Sequence, residues 1–100
     1  MTEAEEGDFN THKELGNAAF KENQFEKAIE HYSQALTSAP LESQHLILSN
    51  RAAALLALNQ FASALEDCQK VVELNPSFLK GFMRMAQGLF SQHRGGARPM

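Results

Sequence analysis

The chain has 100 residues, with twelve Asp and Glu residues against nine Lys and Arg residues and a formal net charge of −3. This length suits one domain with a single modest core, and the acidic balance argues against a surface that binds nucleic acid or anionic lipid. Cys68 is the one cysteine, so an internal disulfide is excluded. No stretch approaches the ~18 consecutive apolar residues of a membrane span. We therefore expect a cytoplasmic protein that binds neither nucleic acid nor membranes.

The first part of the chain is predicted to contain an acidic head and one helix. Residues 1–8 are polar and acidic, which predicts a disordered segment. Thr11 and Glu14 have the spacing of a capping box, which predicts that the first helix begins here and runs to about Lys21. A polar turn at residues 22–24 then separates this helix from the next one.

Three further helices are predicted, and in the first of them apolar residues recur at the 3, 4, 7 spacing of a buried stripe. The second helix begins at Phe25 and ends before Pro40, because proline disfavours the helical conformation of its predecessor. The third and fourth helices cover about residues 44–58 and 61–74, with a short turn between them. The chain up to this point is therefore predicted to form two helical hairpins.

A fifth helix follows, but the helix that would pair with it is missing from the pattern. Ser77 is a candidate N-cap, and the helix is predicted to fade near Gln92. Two glycines and a proline predict a flexible tail at residues 93–100. The apolar residues left without a covering helix are Phe82, Met85, Leu89 and Phe90. Self-association of the chain through this fifth-helix face is one alternative that the pattern leaves open.

The two hairpins repeat one another. Ala28, Tyr32, Ala35 and Pro40 recur as Ala64, Cys68, Val71 and Pro76, at a constant shift of 36 residues. With Leu15-Gly16 in the first helix, this pattern resembles the tetratricopeptide repeat, a helix-turn-helix unit of about 34 residues. The resemblance implies an all-α fold over residues 9–92, a solenoid of stacked antiparallel hairpins with two full repeats plus a fifth helix. We assign the two residues of extra period to a loop at residues 41–43.

In this family the first helix of each pair lines a concave surface, which is predicted to be basic in this chain. The cations assigned to that surface are Lys13, Lys21, Arg51, Lys80 and Arg84. A subset of the family, found in co-chaperones, binds the C-terminal Glu-Glu-Val-Asp peptide of seventy- or ninety-kilodalton heat-shock chaperones with a two-carboxylate clamp. The residues that match this clamp in type and spacing are Lys13, Asn17, Asn50, Lys80 and Arg84.

The chemistry of the clamp explains why Lys, Arg and Asn are needed. A chain-terminal Asp offers two carboxylates, which converging donors satisfy with charge-assisted hydrogen bonds. Ala53 is small enough to leave room for the Val of the ligand, and Phe20 offers an apolar floor. Ala57 stands where some clamps carry another basic residue, so the choice between the two chaperone classes stays open. A scaffold that binds a non-chaperone partner is the other open alternative.

The sequence shows no pattern typical of a catalytic or metal site. Four histidines lie on separate elements without zinc-site spacing: His12, His31, His45 and His93. Cys68 occupies a core position beside acidic residues, which predicts a buried and unreactive thiol. No nucleophile elbow or phosphate-binding loop occurs. We therefore expect a protein-interaction module that is not an enzyme and needs neither a metal nor a cofactor.

Overall fold

The computed structural model describes residues 2–78 together with residues 83, 84, 86 and 87, which are helical. Residues 2–78 contain four helices and no strand: α1 (Thr2–Lys21), α2 (Phe25–Ser38), α3 (Leu41–Ala57) and α4 (Phe61–Leu74). Helices α1 and α2 pack as one hairpin, α3 and α4 pack as a second, and α2 joins the two by packing against α3. The predicted all-α fold of stacked hairpins is confirmed.

The turns that close the two hairpins have the same backbone structure. Asn23 and Asn59 each adopt a φ of 63°, in the left-handed region that asparagine tolerates better than most residues. After each of them, one backbone N–H bonds back to the carbonyl five residues earlier, from Gln24 to Ala19 at 2.8 Å and from Gln60 to Leu55 at 2.9 Å. This is the Schellman arrangement that ends a helix, so the polar turns are where the sequence predicts them.

Helices α2 and α4 confirm the predicted boundaries. Helix α2 begins at Phe25, and Ala39 is extended with φ −73° and ψ 137°, as expected for the residue before Pro40. Helix α4 covers Phe61–Leu74, which is the predicted range. In both cases the boundary signal is local, because proline or a turn-forming asparagine acts on the backbone within one or two residues.

The start of α1 differs from the prediction. The helix begins at Thr2 rather than at Thr11, so residues 2–8, predicted to be disordered, form its first turns. Thr11 lies inside α1 and cannot serve as an N-cap, which must stand at the helix boundary. The physical reason is the composition of the head: Glu and Ala favour helix, and acidic residues near an N-terminus interact well with the helix dipole.

Helix α3 also begins earlier than predicted. The loop assigned to residues 41–43 does not exist, because α3 starts at Leu41 and the extra residues extend its first turn. Pro40 is the N-cap residue with φ −66° and ψ 157°, and its carbonyl accepts a hydrogen bond of 2.9 Å from the backbone N–H of Ser43. Proline has the φ needed at a helix start, and Glu42 adds a favourable charge in the first turn.

The predicted fifth helix falls largely outside the described residues. Ser77 lies in a turn after α4, closed by a 3.0 Å hydrogen bond from the N–H of Phe78 to the carbonyl of Asn75. Residues 83, 84, 86 and 87 are helical. The predictions that lie outside the described residues concern Lys80, Phe82, Met85, Leu89, Phe90 and the tail at residues 93–100.

The core uses the repeated small and large positions of α2 and α4. Their side chains are 0 or 1% exposed: Ala28, Tyr32 and Ala35 in α2, and Ala64, Cys68 and Val71 in α4. The ring of Tyr32 packs against Gly16 so closely that a Cβ added there would lie 2.6 Å from Cε1 of the tyrosine. Helices α1 and α2 therefore approach at a position where only glycine leaves enough space.

The buried thiol of Cys68 is expected to be chemically inert in the folded protein. Burial raises its pKa to about 11, the charge of Asp67 adds to the rise, and the charge of Arg84 opposes it. At pH 8 only about a thousandth of the thiol is then ionised, far below an exposed cysteine. We expect a disulfide reagent such as DTNB to label the native protein at least a hundredfold more slowly than the urea-unfolded protein. Labelling of the native protein at the rate of a free thiol would contradict this.

The same raised pKa makes stability fall at high pH. The folded state favours the neutral thiol, so this contribution is fully present below the ordinary cysteine pKa of about 8.5 and is lost as the pH rises toward 11. Tyr32 also lowers the stability of the folded protein at high pH, because burial raises its pKa to about 12.

Candidate functional site

A groove of about 350 Å³ brings together residues that are far apart in sequence. It is lined by Asn17, Phe20, Lys21, Tyr32, Asn50, Ala53 and Arg84. Helices α1, α2 and α3 contribute all of these except Arg84, which lies in the helical residues after α4. The structure therefore collects in one place five of the residues that the sequence proposes for a peptide site, which are Asn17, Phe20, Asn50, Ala53 and Arg84.

The two other proposed residues are not among the described residues that line the groove. Lys13 is half-buried on α1, one turn before Asn17, and is not among the residues that line the groove. Residues four apart on a helix share a face, so its side chain starts on the groove side of α1. Lys80 lies outside the described residues. Their roles as ligands of a peptide stay predictions.

The polar centre of the groove is a small hydrogen-bond network around Asn17. Its Oδ1 accepts a 2.5 Å hydrogen bond from the hydroxyl of Tyr32 and a 3.3 Å hydrogen bond from Nδ2 of Asn50. The network therefore links α1, α2 and α3 at one atom. The sequence predicted only that Tyr32 belongs to the core. Its position in the apolar spacing of α2 predicts a buried ring, but nothing in the sequence shows where the hydroxyl points.

The groove carries positive charge. Lys21 and Arg84 are its charged lining residues, and no acidic side chain occurs in the lining that the structure describes. The hydroxyl of Tyr32 stays neutral at ordinary pH because burial raises its pKa to about 12, against the opposing charge of Arg84. The arrangement suits an anionic ligand that accepts hydrogen bonds from neutral and cationic donors.

The apolar side of the groove continues into a second cavity of about 270 Å³. The two cavities share Phe20, Ala53 and Arg84. Phe20 is held in place by Phe25, since their rings meet edge to face with centroids 5.2 Å apart. Ala57 lines the second cavity together with the polar residues Asn59 and Gln87, so an alanine stands at the position where some clamps carry a basic residue.

Arg51 does not belong to the basic surface, which corrects the sequence prediction. Its Nε and Nη2 donate hydrogen bonds of 2.7 and 2.8 Å to the carboxylate of Asp67, and its Nη1 donates one of 3.0 Å to Oγ of Ser33. The hydrogen bonds that Arg51 donates to Asp67 raise the pKa of the arginine, and burial opposes that rise. Arg51 follows Asn50 by one residue, which turns it about 100° around α3 and away from the groove.

The described residues contain neither a grouped set of metal-ligating side chains nor a helix that could cross a membrane. Within residues 2–78 and the helical residues after them, no three His, Cys, Asp or Glu side chains are grouped to hold a metal ion. The same part of the chain has no helix with the length and apolar character needed to span a bilayer.

The family of the chain follows from comparison with known proteins. Residues 9–40 and 45–78 each match the family model of the tetratricopeptide repeat. The chain belongs to the tetratricopeptide repeat family. The two matched segments correspond to the α1–α2 and α3–α4 hairpins, so the family predicted from the 36-residue period is confirmed.

Among curated relatives of this tetratricopeptide domain are known co-chaperones. It is 44% identical over 73 residues to the Hsp70-Hsp90 organizing protein of Triticum aestivum, covering 73% of this chain and 12% of the relative. It is 39% identical over 82 residues to the protein STIP1 homolog of Dictyostelium discoideum, covering 82% of this chain and 14% of the relative. The chain thus spans about one eighth of the length of these relatives.

Solved structures of tetratricopeptide domains superpose closely on this one. The first tetratricopeptide domain of Spaghetti (RPAP3), bound to the HSP90 peptide SRMEEVD, gives a TM-score of 0.82 at 31% identity, covering 87% of this chain and 68% of that chain. The Sgt2 tetratricopeptide domain from Aspergillus fumigatus gives a TM-score of 0.79 at 36% identity, covering 84% and 54%. These similarities and the curated relatives confirm the predicted resemblance to the co-chaperone type of the family.

Proposed function

We propose that this tetratricopeptide domain is a co-chaperone adaptor that binds the acidic C-terminal tail of a heat-shock chaperone. The ligand is a free chain end of the sequence Glu-Glu-Val-Asp, from a chaperone of the seventy- or ninety-kilodalton class. The observation that carries the proposal is the groove where Asn17, Asn50 and Arg84 meet without an acidic neighbour among the described lining residues. The relatives named above, and the peptide bound to the Spaghetti domain, support the same ligand.

The groove supplies donors for both carboxylates of a terminal Asp. Asn17, Asn50 and Arg84 line it, and Lys13 and Lys80 are the further cationic donors of the proposal. Charge-assisted hydrogen bonds contribute about 1.5–3 kcal/mol each. The Val of the ligand lies against Ala53 and Phe20. Much of this attraction offsets desolvation and ordering of the peptide, so the affinity is on the order of micromolar, or about −8 kcal/mol.

The proposed role is binding without catalysis. The described lining of the groove contains no Ser, Cys, His, Asp or Glu to act as nucleophile or general base, and Tyr32 stays neutral because its pKa is raised to about 12. We place this role in the cytoplasm, as expected for a co-chaperone.

A pair of peptides tests the proposal. Calorimetric titration with an acidic peptide ending Glu-Glu-Val-Asp is expected to give at least tenfold tighter binding than its C-terminally amidated twin. The amide removes one carboxylate and its charge-assisted hydrogen bonds, and tenfold corresponds to about 1.4 kcal/mol. The difference should shrink at high salt, because the groove charges are partly exposed. Equal binding of the two peptides would refute the proposal.

Matched variants separate the groove from general charge effects. Arg84→Gln is expected to weaken binding of the free-acid peptide about tenfold or more. Lys70→Gln removes the same charge from the exposed side of α4, outside the groove, and is expected to change the affinity less than twofold. Equal losses in the two variants would indicate a nonspecific attraction to the whole protein.

A further inference from the structure

The hydroxyl of Tyr32 makes a hydrogen bond in the groove that the packing of its ring does not require. Tyr32 is 1% exposed, and its ring fills the space against Gly16. A phenylalanine would fill the same space. The hydroxyl adds one feature, the 2.5 Å hydrogen bond to Oδ1 of Asn17 on the neighbouring helix.

The bonds around Asn17 define which end of its amide faces the ligand. The side-chain oxygen of asparagine has two lone pairs, and here one faces the hydroxyl of Tyr32 and the other faces Nδ2 of Asn50. The opposite orientation would set the NH₂ group of Asn17 against the NH₂ group of Asn50. With the oxygen engaged on this side, neither N–H donor of Asn17 has a hydrogen-bond partner among the described residues, so both can face an acceptor in the groove.

The hydroxyl of Tyr32 can donate a hydrogen bond to Asn17 because the phenol keeps its proton. Burial raises its pKa to about 12 even though the charge of Arg84 opposes the rise. The phenol therefore donates to Asn17 throughout the physiological pH range, and it contributes no negative charge that would repel an acidic ligand.

We infer that Tyr32 is a positioning residue for the groove: its hydroxyl, bonded to Oδ1 of Asn17, turns the asparagine N–H donors toward a ligand carboxylate. The inference rests on the proposed function and deepens it, because it names the determinant that distinguishes a carboxylate from a carboxamide. A carboxylate only accepts hydrogen bonds and pairs with the donors of Asn17. A carboxamide in the same place presents its own donors and leaves polar groups unpaired, which is costly.

The test is Tyr32→Phe, which keeps the ring and removes the hydroxyl. Its affinity for the free-acid peptide is expected to fall about threefold to tenfold, while its affinity for the amidated peptide changes less than twofold. The preference for the acid therefore shrinks, which a purely structural loss would not produce. Ser33→Ala is the matched control, because it removes a hydroxyl from the next residue of α2 that bonds Arg51 instead. It is expected to leave both affinities within twofold of the wild type.

A second measurement does not depend on the ligand. In ¹⁵N-edited NMR spectra of the free protein, the side-chain amide of Asn17 is expected to shift and broaden in Tyr32→Phe, while that of Asn59, in the second turn, stays unchanged. In the Asn17→Ala background, Tyr32→Phe is expected to cause no further loss of affinity. A loss of the same size in that background would overturn the inference, because the hydroxyl would then act independently of Asn17.

The outcomes separate this inference from the proposed function. If the wild type prefers the free acid and Tyr32→Phe retains that preference in full, the inference is wrong and the proposed function stands. If the wild type binds both peptides equally, the proposed function is wrong. In that case the NMR result still decides whether Tyr32 orients Asn17.

Discussion

Replacing Gly16 by alanine is expected to destabilise the domain by about 1–3 kcal/mol, the usual cost of overpacking a core. The new Cβ would lie 2.6 and 2.7 Å from two ring carbons of Tyr32. The ring is rigid, buried and bonded through its hydroxyl to Asn17, so it cannot move aside without loss. Urea unfolding monitored by circular dichroism measures the effect. An unstrained Gly→Ala change in a helix would instead stabilise by about 0.5–1 kcal/mol. The sign of the change in unfolding free energy therefore shows whether the new Cβ clashes with the Tyr32 ring.

The second hairpin provides the matched rescue for this substitution. At the shift of 36 residues, Gly16 and Tyr32 correspond to Ala52 and Cys68, which belong to one buried cluster. In the second hairpin alanine replaces the glycine, and the smaller cysteine replaces the tyrosine that would leave no space for it. In a Tyr32→Cys background, kept reduced, Gly16→Ala is expected to be neutral or slightly stabilising. A penalty that persists there would show that the strain does not come from the tyrosine ring.

Replacing Asp67 by alanine is expected to destabilise the domain by about 2–3 kcal/mol. Its carboxylate holds Arg51 with two hydrogen bonds, and the two side chains are 9% and 24% exposed. Removal of one partner from a buried pair costs about 3–5 kcal/mol because the other charge is left without compensation. The expected value is lower here because the arginine keeps some contact with water. The free energy of unfolding in urea measures it.

A neighbouring residue supplies the control for the ion pair. Glu66→Ala removes the same charge from the exposed residue before Asp67 and is expected to change stability by less than about 0.5 kcal/mol. The double variant Arg51→Ala/Asp67→Ala should lose less than the sum of the single changes, because it leaves no unpaired charge. Additive losses would mean that the pair contributes nothing specific to the fold.

Helix boundaries were predictable where one residue determines the backbone. Pro40, Asn23 and Asn59 act locally, and the ends of α2 and the start of α4 were therefore predicted correctly. The starts of α1 and α3 were predicted too late. The start of α1 was assigned from a capping-box pattern that lies inside the helix, and the start of α3 was placed after a loop assigned to residues 41–43. Helix propensity forms the first turns of both helices without a pattern of buried residues.

The site was predictable in composition but not in detail. The resemblance to the clamp-bearing members of the family was sufficient to propose that Asn17, Asn50 and Arg84 share a groove, and stacking of the hairpins brings these repeated positions together. Arg51 was assigned to the wrong surface. Charge alone does not show which way a side chain turns, and one residue along a helix changes its direction by about 100°.

The sequence by itself determined the class of this protein: two helical hairpins of the tetratricopeptide type, carrying amides and cations at spaced positions on their first helices. Periodicity and proline positions depend on the local backbone, so they are visible in the chain as written. Only the tertiary structure decided that Arg51 bonds Asp67 and that the hydroxyl of Tyr32 reaches Asn17. These contacts join separate helices. Their geometry depends on how whole helices pack against one another, and a short stretch of sequence does not carry that information.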